Sequence, residues 1–431
     1  MNQTIRSRIE QIKRGAIPDG YKKTKVGIVP KEWTEHTLSE FFDFKNGLNK
    51  EKEAFGKGTP IVNYTDVWGK RGLLKENIKG KVLLSKKEID LYKVEEGDVF
   101  FTRTSETIEE IGLSSVLLEP INDCVFSGFV LRARPKKAGI VKEYNIYCYS
   151  SAIMRHEITR KSSMTTRALT NGTLLGEVNI NLPNQKEQEK IAEILQKQDR
   201  LIKLKEKLIE EKKKQKQYLM EALLTGKVRL PGFTDEWITD TLKNHILILN
   251  GFAFQSSSYE REGKFKVITI KNVKENSFNT EDCDKISVLP EGIQTHQLLK
   301  IGDILMSLTG NVGRVCIVNE EDCLLNQRVA KIVCLNQNET GWIVELLNRK
   351  HFIIAMQNCS SGAAQANLSV GCIYDYAFAS PKNKEEKIAI ANILIKADDE
   401  LELLQKELEE QKRKKQSLMQ LLLTGIVRVK A

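Results

Sequence analysis

Two short polar segments combine hydroxyl, amide and guanidinium side chains at matching places in the two halves of the sequence. Each follows an apolar run that begins with Gly-Asp, at residues 97–101 and 302–306. The candidate contact residues are Arg103, Thr104 and Ser105 in the first segment, and Ser307, Thr309, Asn311 and Arg314 in the second. Such side chains suit hydrogen bonds to phosphate oxygens and base edges. The two segments therefore predict contacts with a nucleic acid.

Three further polar clusters have the same character. They comprise Lys161, Thr165 and Arg167; Asn326, Gln327 and Arg328; and Gln365 and Asn367. Each cluster alone is typical of an ordinary polar loop, but their recurrence in both halves strengthens the prediction. The formal net charge of +10, from 67 Lys and Arg against 57 Asp and Glu, also favours a polyanionic partner.

The sequence contains no recognisable catalytic or metal-binding motif. It lacks a phosphate loop of the form G-x-x-x-x-G-K-[ST]. It has no Pro-Pro pair, so the Asn/Asp-Pro-Pro-Tyr/Phe tetrapeptide of amino-methyltransferases is absent. The five histidines are scattered without metal-ligand spacing. We therefore predict neither a catalytic residue nor a metal site in this chain.

Composition predicts a soluble, cytoplasmic protein. No stretch approaches the roughly 18–20 apolar residues of a membrane span, and the basic N-terminus is not followed by the apolar segment of a secretory signal. The eight cysteines form no CxxC pair, and several lie in apolar runs such as residues 315–317. We predict that they are buried, reduced thiols.

The elements that must position the polar segments are organised by an internal repeat. Two long segments, which open just after a proline and close on Leu-Leu-Thr-Gly, align at a constant offset of 199: Ile191 with Ile390 (390 − 191) and Gly226 with Gly425 (425 − 226). The preceding domains correspond more loosely, at offsets of 204 to 205 for Trp33 with Trp237 and Gly97 with Gly302. Two similar helices therefore accompany two divergent domains.

The apolar pattern of the repeated segments predicts a coiled coil. Apolar residues recur at alternating steps of three and four in the second copy, and as doublets every seven residues in the first. The predicted seam residues are Leu195, Ile202 and Ile209 in the first helix, and Leu394, Leu401, Leu404 and Leu408 in the second. An antiparallel pair within the chain is favoured because it relates the halves by a local two-fold axis. Pairing with a second chain is the alternative.

The predicted fold is α+β, a pseudo-two-fold tandem repeat with two mixed α/β domains and an antiparallel intramolecular coiled coil. Its segments are a basic helical segment with a linker (1–31), a first domain (32–182), a first long helix (183–226), a second domain (227–380) and a second long helix (381–431). The N-terminal helix resembles the helix end at 218–226, as if it completed a circular arrangement of two half-repeats. A frayed tail is the alternative.

This layout resembles the specificity subunit of type I restriction–modification systems, over nearly the whole chain. The resemblance rests on several duplicated motifs together with Gln-Glu-Lys-Ile-Ala at the start of the first helix. The duplicated motifs are the entries to the two domains at 25–33 and 230–237, the Gly-Asp strand openings, and the Leu-Leu-Thr-Gly-x-Val-Arg endings at 223–229 and 422–428. In this order and in duplicate, these motifs are specific.

The resemblance implies two target-recognition domains, each reading one half of a bipartite, asymmetric site in double-stranded DNA, with the helices as a spacer. It implies two methyltransferase subunits that use S-adenosylmethionine to methylate adenine. Restriction subunits that need ATP and Mg would translocate and cleave DNA, so this chain would itself be non-catalytic. The residues alone leave two alternatives open: a coiled-coil assembly protein whose domains bind proteins, and a self-sufficient enzyme.

Overall fold

The computed structural model describes residues 3–164, 166–360 and 367–429. The chain divides into two compact units, which we call unit 1 (residues 1–205 and 407–431) and unit 2 (residues 206–406). Each unit contains one mixed α/β domain and part of each long helix. Among the described residues, none of the helices combines the length and the apolar character of a membrane span.

The α-helices of the described residues comprise several short helices and two long ones. They are α1 (Gln3–Lys13), α2 (Tyr64–Val67), α3 (Lys86–Tyr92), α4 (Lys142–Cys148), α5 (Ala152–Lys161), α6 (Gly172–Gly176), α7 (Gln185–Leu223), α8 (Thr340–Leu347), α9 (Lys350–Ser360), α10 (Val370–Tyr374) and α11 (Lys384–Leu423). The long helices of the sequence repeat are α7 and α11.

Short strands make up most of both domains. Those of unit 1 are β1 (Tyr21–Thr24), β2 (Gly27–Pro30), β3 (Thr34–Thr37), β4 (Phe42–Asn46), β5 (Phe55–Val62), β6 (Gly72–Leu73), β7 (Lys81–Val82), β8 (Val99–Thr102), β9 (Thr104–Ser105), β10 (Ser114–Leu117), β11 (Val125–Phe126), β12 (Val130–Pro135), β13 (Ser163–Met164), β14 (Ala168–Leu169) and β15 (Asn179–Leu182). Those of unit 2 are β16 (Trp237–Thr241), β17 (Ile246–Asn250), β18 (Phe265–Ile268), β19 (Val273–Lys274), β20 (Ser277–Phe278), β21 (Asp284–Ile286), β22 (Leu298–Leu299), β23 (Ile304–Ser307), β24 (Val315–Ile317), β25 (Cys323–Leu325), β26 (Val329–Cys334) and β27 (Ala377–Pro381).

The two domains share the order of the main strands in their central sheets, β4-β12-β8-β10 and β17-β26-β23-β24, although their sequences diverge and the numbers of strands in their sheets differ. The central sheet has the order β4-β12-β8-β10-β6 in unit 1 and β17-β26-β23-β24 in unit 2. A second sheet contains β11-β5-β7 in unit 1 and β21-β18-β25-β22 in unit 2. In both, the strand after Gly-Asp (β8 or β23) pairs antiparallel with the next long strand (β12 or β26). The sequence repeat therefore extends to the fold of the domains.

The two apolar runs that follow Gly-Asp in the sequence are strands of the central sheets, β8 and β23. Strand β7 is short, because its pairing with β5 ends at Val82. Leu83 is 46% exposed and does not belong to the core.

The repeated Gly-Asp pair has a structural role. The glycine has a positive φ in both units, +89° at Gly97 and +94° at Gly302, which a tight turn accommodates at little cost only with glycine. The aspartate that follows it forms an ion pair with the neighbouring long strand, to Arg134 at 2.7 Å in unit 1 and to Lys331 at 2.6 Å in unit 2. The motif therefore fixes the start of the central strand.

Both long helices have defined ends. Asn184 and Asn383 precede them, and each side chain accepts a hydrogen bond from a backbone N–H of the first turn at 2.9 Å. Just beyond the helix ends, Gly226 and Gly425 have φ values of +70° and +69°, as expected for glycine at a helix C-terminus. The same capping chemistry thus bounds both copies.

The two helices pair antiparallel within each unit, because the partner's residue number falls as the number along α7 rises. The polar pairs are Gln198 with Gln411 (2.9 Å) and Lys205 with Glu407 (2.6 Å) in unit 1, and Lys212 with Glu400 (2.6 Å) and Lys216 with Asp398 in unit 2. The pairing is intramolecular in both units. An antiparallel alignment that continues along both helices is what a heptad seam produces.

The apolar seam lies along this contact. Leu195, Ile209, Leu394 and Leu408 are buried, and Ile202, Leu401 and Leu404 are half-buried. The first members of two doublets, Leu201 and Leu208, are 39% and 43% exposed and lie outside the seam. The ends of the helices also complete the domain cores, through Leu195 and Leu422 in unit 1 and Leu223 and Leu394 in unit 2.

The arginine that ends each repeated motif holds the start of the opposite long helix. Arg428 donates two hydrogen bonds to Glu187 at 2.7 and 2.9 Å, and Arg229 donates two to Glu386 at the same distances. The two glutamate side chains are 2% and 0% exposed. These bidentate pairs connect the end of one long helix to the beginning of the other in each unit.

The N-terminal segment packs on the end of α11 in unit 1. The Tyr21 hydroxyl donates to the carbonyl oxygen of Gly425 at 2.7 Å, and the Arg8 guanidinium donates to that of Ile426. Arg8 also lies over the ring of Tyr21, 5.1 Å from its centroid. The N-terminal segment and the end of α11 therefore meet in unit 1, and the circular arrangement of half-repeats stays a prediction.

A buried charge network links the paired helices of unit 2 to α8 of its mixed α/β domain. Lys216 on α7 contacts Asp398 on α11 and Glu345 on α8, the latter at 3.2 Å. The side chains of Lys216 and Glu345 are 7% and 3% exposed. Burial, and to a smaller extent the charge of Asp398, raises the pKa of Glu345 to about 7, and Lys216 opposes this shift.

The raised pKa of Glu345 is expected to make the stability of unit 2 depend on pH. A carboxyl with a raised folded-state pKa contributes stability that is fully present below its ordinary pKa of 4.5 and lost as the pH rises through about 7. In the wild type, this group should make the free energy of unfolding fall as the pH rises from 4.5 to 7. Glu345→Gln should remove that fall, measured by urea denaturation of the full chain. The matched control is Glu210→Gln at an exposed position of α7. Equal slopes in wild type and Glu345→Gln would contradict the expectation.

The prediction that all eight cysteines are reduced thiols is wrong for two of them. Cys359 on α9 and Cys372 on α10 form a disulfide that closes a loop across a sequence separation of 13 residues. Periodicity could not reveal this pair, because two helices of the fold bring the sulfurs together. The other six cysteines are free, and five of these are buried.

Candidate nucleic-acid interface

In unit 1, two of the predicted polar clusters form one small sheet. Strand β9, which carries Thr104 and Ser105, pairs with β14, and β14 pairs with β13. This sheet follows directly from the end of β8, where Arg103 connects it to the central sheet. The clusters near 103 and 163 are thus neighbours in space, while Thr165 lies outside the described residues.

Three candidates of unit 1 are placed to contact a ligand. Arg167 is exposed, and Arg103 and Thr104 are half-buried. The Arg103 guanidinium donates one hydrogen bond to the carbonyl oxygen of Gly128 at 3.3 Å, which orients the side chain and leaves most of its donors available.

Two other candidates of unit 1 have internal partners. Ser105 is 6% exposed, and its hydroxyl donates to Glu110 at 3.2 Å. Lys161 forms an ion pair with Glu177 at 3.1 Å. We therefore expect these two side chains to support the sheet and not to contact DNA.

Sequence reasoning missed the exposed apolar side chains of this face. Phe129, Met164 and Leu169 are 61%, 53% and 41% exposed. Phe129 begins an apolar run, so its pattern indicated a core strand, yet its backbone carbonyl accepts from the Arg103 amide at 3.1 Å and its side chain faces solvent. Exposed apolar groups beside arginine suit contact with thymine methyl groups or insertion between base pairs.

In unit 2, the three predicted clusters also meet. The Ser307 hydroxyl donates to the carbonyl oxygen of Asn311 at 2.6 Å and accepts from the Arg314 amide at 3.1 Å, which closes the turn after β23. Thr309 forms an antiparallel β-bridge with Asn367. The Leu308 amide donates to the carbonyl oxygen of Arg328 at 3.0 Å, joining the third cluster. Gln365 lies outside the described residues.

The candidates of unit 2 divide in the same way between outward and inward positions. Asn311, Gln327, Arg328 and Asn367 are exposed, and Thr309 and Arg314 are half-buried. Ser307 and Asn326 are 1% and 7% exposed. The Asn326 side chain accepts from the Arg328 amide at 3.1 Å. We expect these two buried side chains to hold the loops in place.

The two interfaces share a backbone frame but differ in chemistry. Phe129 and Arg328 each stand one residue before the equivalent strands β12 and β26. Their carbonyls accept equivalent hydrogen bonds, from Arg103 at 3.1 Å and from Leu308 at 3.0 Å. Phe129 next to Arg103 in unit 1 therefore corresponds to Arg328 next to Leu308 in unit 2.

A pair of matched glycines positions the loops of this frame. A Cβ at Gly47 would lie 2.1 Å from the carbonyl oxygen of Ser127, and one at Gly251 would lie 2.2 Å from that of Asn326. Only glycine allows this approach of backbone to backbone. Both glycines therefore fix the segment that carries position 129 or 328.

Within the described ranges, no group of three His, Cys, Asp or Glu residues could hold a metal ion.

Comparison with known proteins shows which family and which relatives this chain is similar to. The family model described as the type I restriction modification DNA specificity domain matches residues 30–213 and 235–413. The chain is 26% identical over 441 residues to the proposed MjaX type I restriction enzyme specificity subunit of Methanocaldococcus jannaschii, covering 96% of this chain and 97% of that protein. It is 29% identical over 213 residues to the MjaIX type I restriction enzyme specificity subunit of the same organism, covering 47% and 45%.

Two solved structures have the same fold. The type I restriction–modification S subunit from M. genitalium has a TM-score of 0.52 at 16% identity, covering 90% of this chain and 96% of that chain. A structure from work on complex assembly and conformational transition of the type I R-M system has a TM-score of 0.56 at 16% identity, covering 93% and 99%.

Proposed function

Because the chain belongs to the family of type I restriction modification DNA specificity domains, we propose that each of its recognition domains reads one half of a bipartite, asymmetric DNA site. The family match confirms the resemblance inferred from the sequence, and the chain supplies DNA sequence specificity to a type I system. The observation that carries the proposal is the pair of equivalent frames with different side chains at Phe129 and Arg328. One scaffold with two unlike contact surfaces suits two unlike half-sites.

The antiparallel helices set the spacing between the half-sites in this proposal. Half-sites on one face of B-DNA lie about 34–36 Å apart, or multiples of it, and a spacer must hold both readers in phase. The coiled coil suits this role, because the polar pairs along it oppose sliding of one helix against the other.

A change in helix length is expected to change the gap between the half-sites. Seven residues inserted into each helix, after Lys205 and before Glu407, preserve the seam and add about 10 Å. That length corresponds to about three base pairs of B-DNA. Selection from a library of duplexes with variable gaps should show the shift. A control with four residues inserted into α7 alone should lose binding, since it breaks the register, and an unchanged gap in the seven-residue variant would contradict the spacer role.

The partners and cofactors belong to the same proposal. Two methyltransferase subunits would bind S-adenosylmethionine and methylate adenine, and restriction subunits would use ATP and Mg to translocate and cleave DNA. The chain would act in the cytoplasm as the non-catalytic subunit of that assembly. Methylation of a base within a duplex requires the base to be flipped out, which we assign to the methyltransferase.

Salt dependence tests DNA binding against the protein-binding alternative. Neutralisation of phosphates releases counterions, so log K for a specific duplex should fall linearly and steeply with log salt concentration. The measurement uses the full chain with its methylating partner and compares a selected duplex with competitor DNA. A flat salt dependence together with no preference between the duplexes would instead support an adaptor that binds proteins.

A further inference from the structure

We propose that Cys359 and Cys372 form a site of thiol–disulfide exchange in unit 2, and that oxidation of this pair strengthens DNA recognition by the unit. The two cysteines lie on α9 and α10 and are joined in the structure. The effect on recognition rests on the proposed function, whereas the exchange chemistry does not. Two observations support the inference: the accessibility of the pair, and its place beside the predicted contact residues of unit 2.

The pair is accessible to a second molecule, unlike most cysteines of the chain. Cys359 is exposed and Cys372 is half-buried, whereas five of the six free cysteines are buried. Exchange needs a thiolate that a partner thiol can reach. Burial raises the pKa of Cys316 and Cys323 to about 12, and that of the half-buried Cys283 to about 11, so these thiols stay protonated. The exchange is therefore confined to Cys359 and Cys372.

The exchange is balanced with a small thiol as the reductant and its disulfide as the oxidant. On reduction, the thiolate of a small thiol attacks the exposed sulfur of Cys359, and the sulfur of Cys372 leaves and takes a proton. A second small thiol then displaces Cys359, which also takes a proton, and the two small molecules leave as a disulfide. Oxidation is the reverse. The Cα atoms are 6.5 Å apart, within the range that a disulfide spans, so the bond can re-form on this backbone.

The chain between the two cysteines contributes to the candidate nucleic-acid interface. Asn367 is exposed and forms an antiparallel β-bridge with Thr309 in the turn after β23. The amide of the next residue, Leu368, donates to the carbonyl oxygen of Leu308 at 2.8 Å. The disulfide therefore closes a loop that includes a predicted contact residue.

The disulfide also joins this loop to the core of the unit at both ends. Cys372 lies in the first turn of α10, where its amide donates to the Ser369 hydroxyl at 3.2 Å. Cys359 lies in the last turn of α9, which packs into the core through Phe352 and Met356. A cross-link across a sequence separation of 13 residues restricts the conformations of the loop. Reduction gives the loop more freedom, which must be lost again when DNA binds.

Unit 1 connects the equivalent helices without cysteine. The short helices α6 and α10 each begin after a side-chain cap, at Asn171 and Ser369, and α5 precedes α6 as α9 precedes α10. In unit 1 the end of α5 is held by an ion pair of Lys161 with Glu177, just after α6, at 3.1 Å. An ion pair does not react with thiols. The redox state should therefore change recognition by unit 2 and leave recognition by unit 1 unchanged.

A comparison of the oxidised and the reduced full chain tests the proposal without any substitution. The chain is incubated with oxidised or reduced glutathione, and its free thiols are alkylated in denaturant and counted by mass spectrometry. We expect six alkylated cysteines after oxidation and eight after reduction. With the methylating partner present, the oxidised chain should bind a selected duplex roughly 3- to 10-fold more tightly than the reduced chain. The difference should disappear when the half-site that depends on Arg328 is randomised.

Two variants assign the response to this pair. Cys359→Ser combined with Cys372→Ser should bind as the reduced wild type does in both conditions. The matched control Cys283→Ser removes a half-buried thiol of the same unit and should keep the full response.

Eight alkylated cysteines after oxidation, or equal affinities of the two states, would overturn the proposal. A response that persists in the double variant would also overturn it. Absence of specific binding in both states would contradict the proposed function itself, and the control of recognition would fail with it. Specific binding that does not depend on the redox state would contradict only the present inference.

Discussion

Replacing Arg229 by methionine is expected to lower the free energy of unfolding of unit 2 by about 3–5 kcal/mol. The guanidinium donates two hydrogen bonds, at 2.7 and 2.9 Å, to Glu386, whose side chain is 0% exposed. Methionine fills similar space but leaves a buried carboxylate without its ionic partner. The loss should appear in urea denaturation of the full chain, as a lower midpoint for the transition of unit 2.

Two companion variants separate this explanation from lost packing. Arg229 also lies over the Trp237 ring, 5.7 Å from its centroid, so part of any loss could come from that contact. Arg229→Met combined with Glu386→Gln should recover part of the stability, because no buried charge remains. Lys213→Met, at an exposed position of the same unit, should change stability by less than about 0.5 kcal/mol. A single variant as stable as wild type would show that the pair does not hold the helix start.

Replacing Arg328 by alanine is expected to weaken specific DNA binding by about 1–3 kcal/mol, or roughly 5- to 150-fold. The side chain is exposed, and the structure shows no acceptor for its guanidinium among the described residues. Its backbone is held by Asn326 and by the amide of Leu308, so the loop should keep its shape in the variant. The loss should be confined to base changes in one half-site. Binding to duplexes with each half-site randomised in turn measures this.

Position 129 provides the complementary variant. Phe129→Ala should weaken discrimination in the other half-site, since Phe129 occupies the equivalent place in unit 1. Lys382→Ala removes the same charge as Arg328→Ala from a side chain that is 56% exposed and should alter no base preference. If Arg328→Ala weakens binding by less than about 0.5 kcal/mol, or weakens both half-sites equally, Arg328 does not read a base.

The helical part of the fold could be predicted from the sequence because its cause is local and periodic. A seven-residue pattern determines which face of a helix is buried, and Leu195, Ile209, Leu394 and Leu408 are buried where the pattern predicted. The repeat favoured antiparallel pairing within the chain, and the ion pairs between α7 and α11 confirm it. The role of Arg229 and Arg428 could not be predicted, because their glutamate partners are 157 and 241 residues away along the chain.

The sequence predicted which segments form the candidate interface, but not which of their side chains face solvent. Polar composition marked both turns after the central strands, yet Ser307 and Asn326 point inward to hold their loops. Phe129 was missed because an aromatic residue at the start of an apolar run has the pattern of a core position. Whether such a residue faces solvent depends on strand register and on the approach of Gly47 to Ser127, both of which are tertiary features.

Mapping of methylated adenines tests the central claim most directly, in a host that carries this chain and its methylating partner. Two recognition domains with one frame and different side chains should produce a single asymmetric motif of two specific parts, separated by a gap of fixed length. Exchange of residues 32–182 for the corresponding domain of another family member should change one part of the motif and leave the other part unchanged. A continuous motif, or a change in both parts after the exchange, would contradict the account.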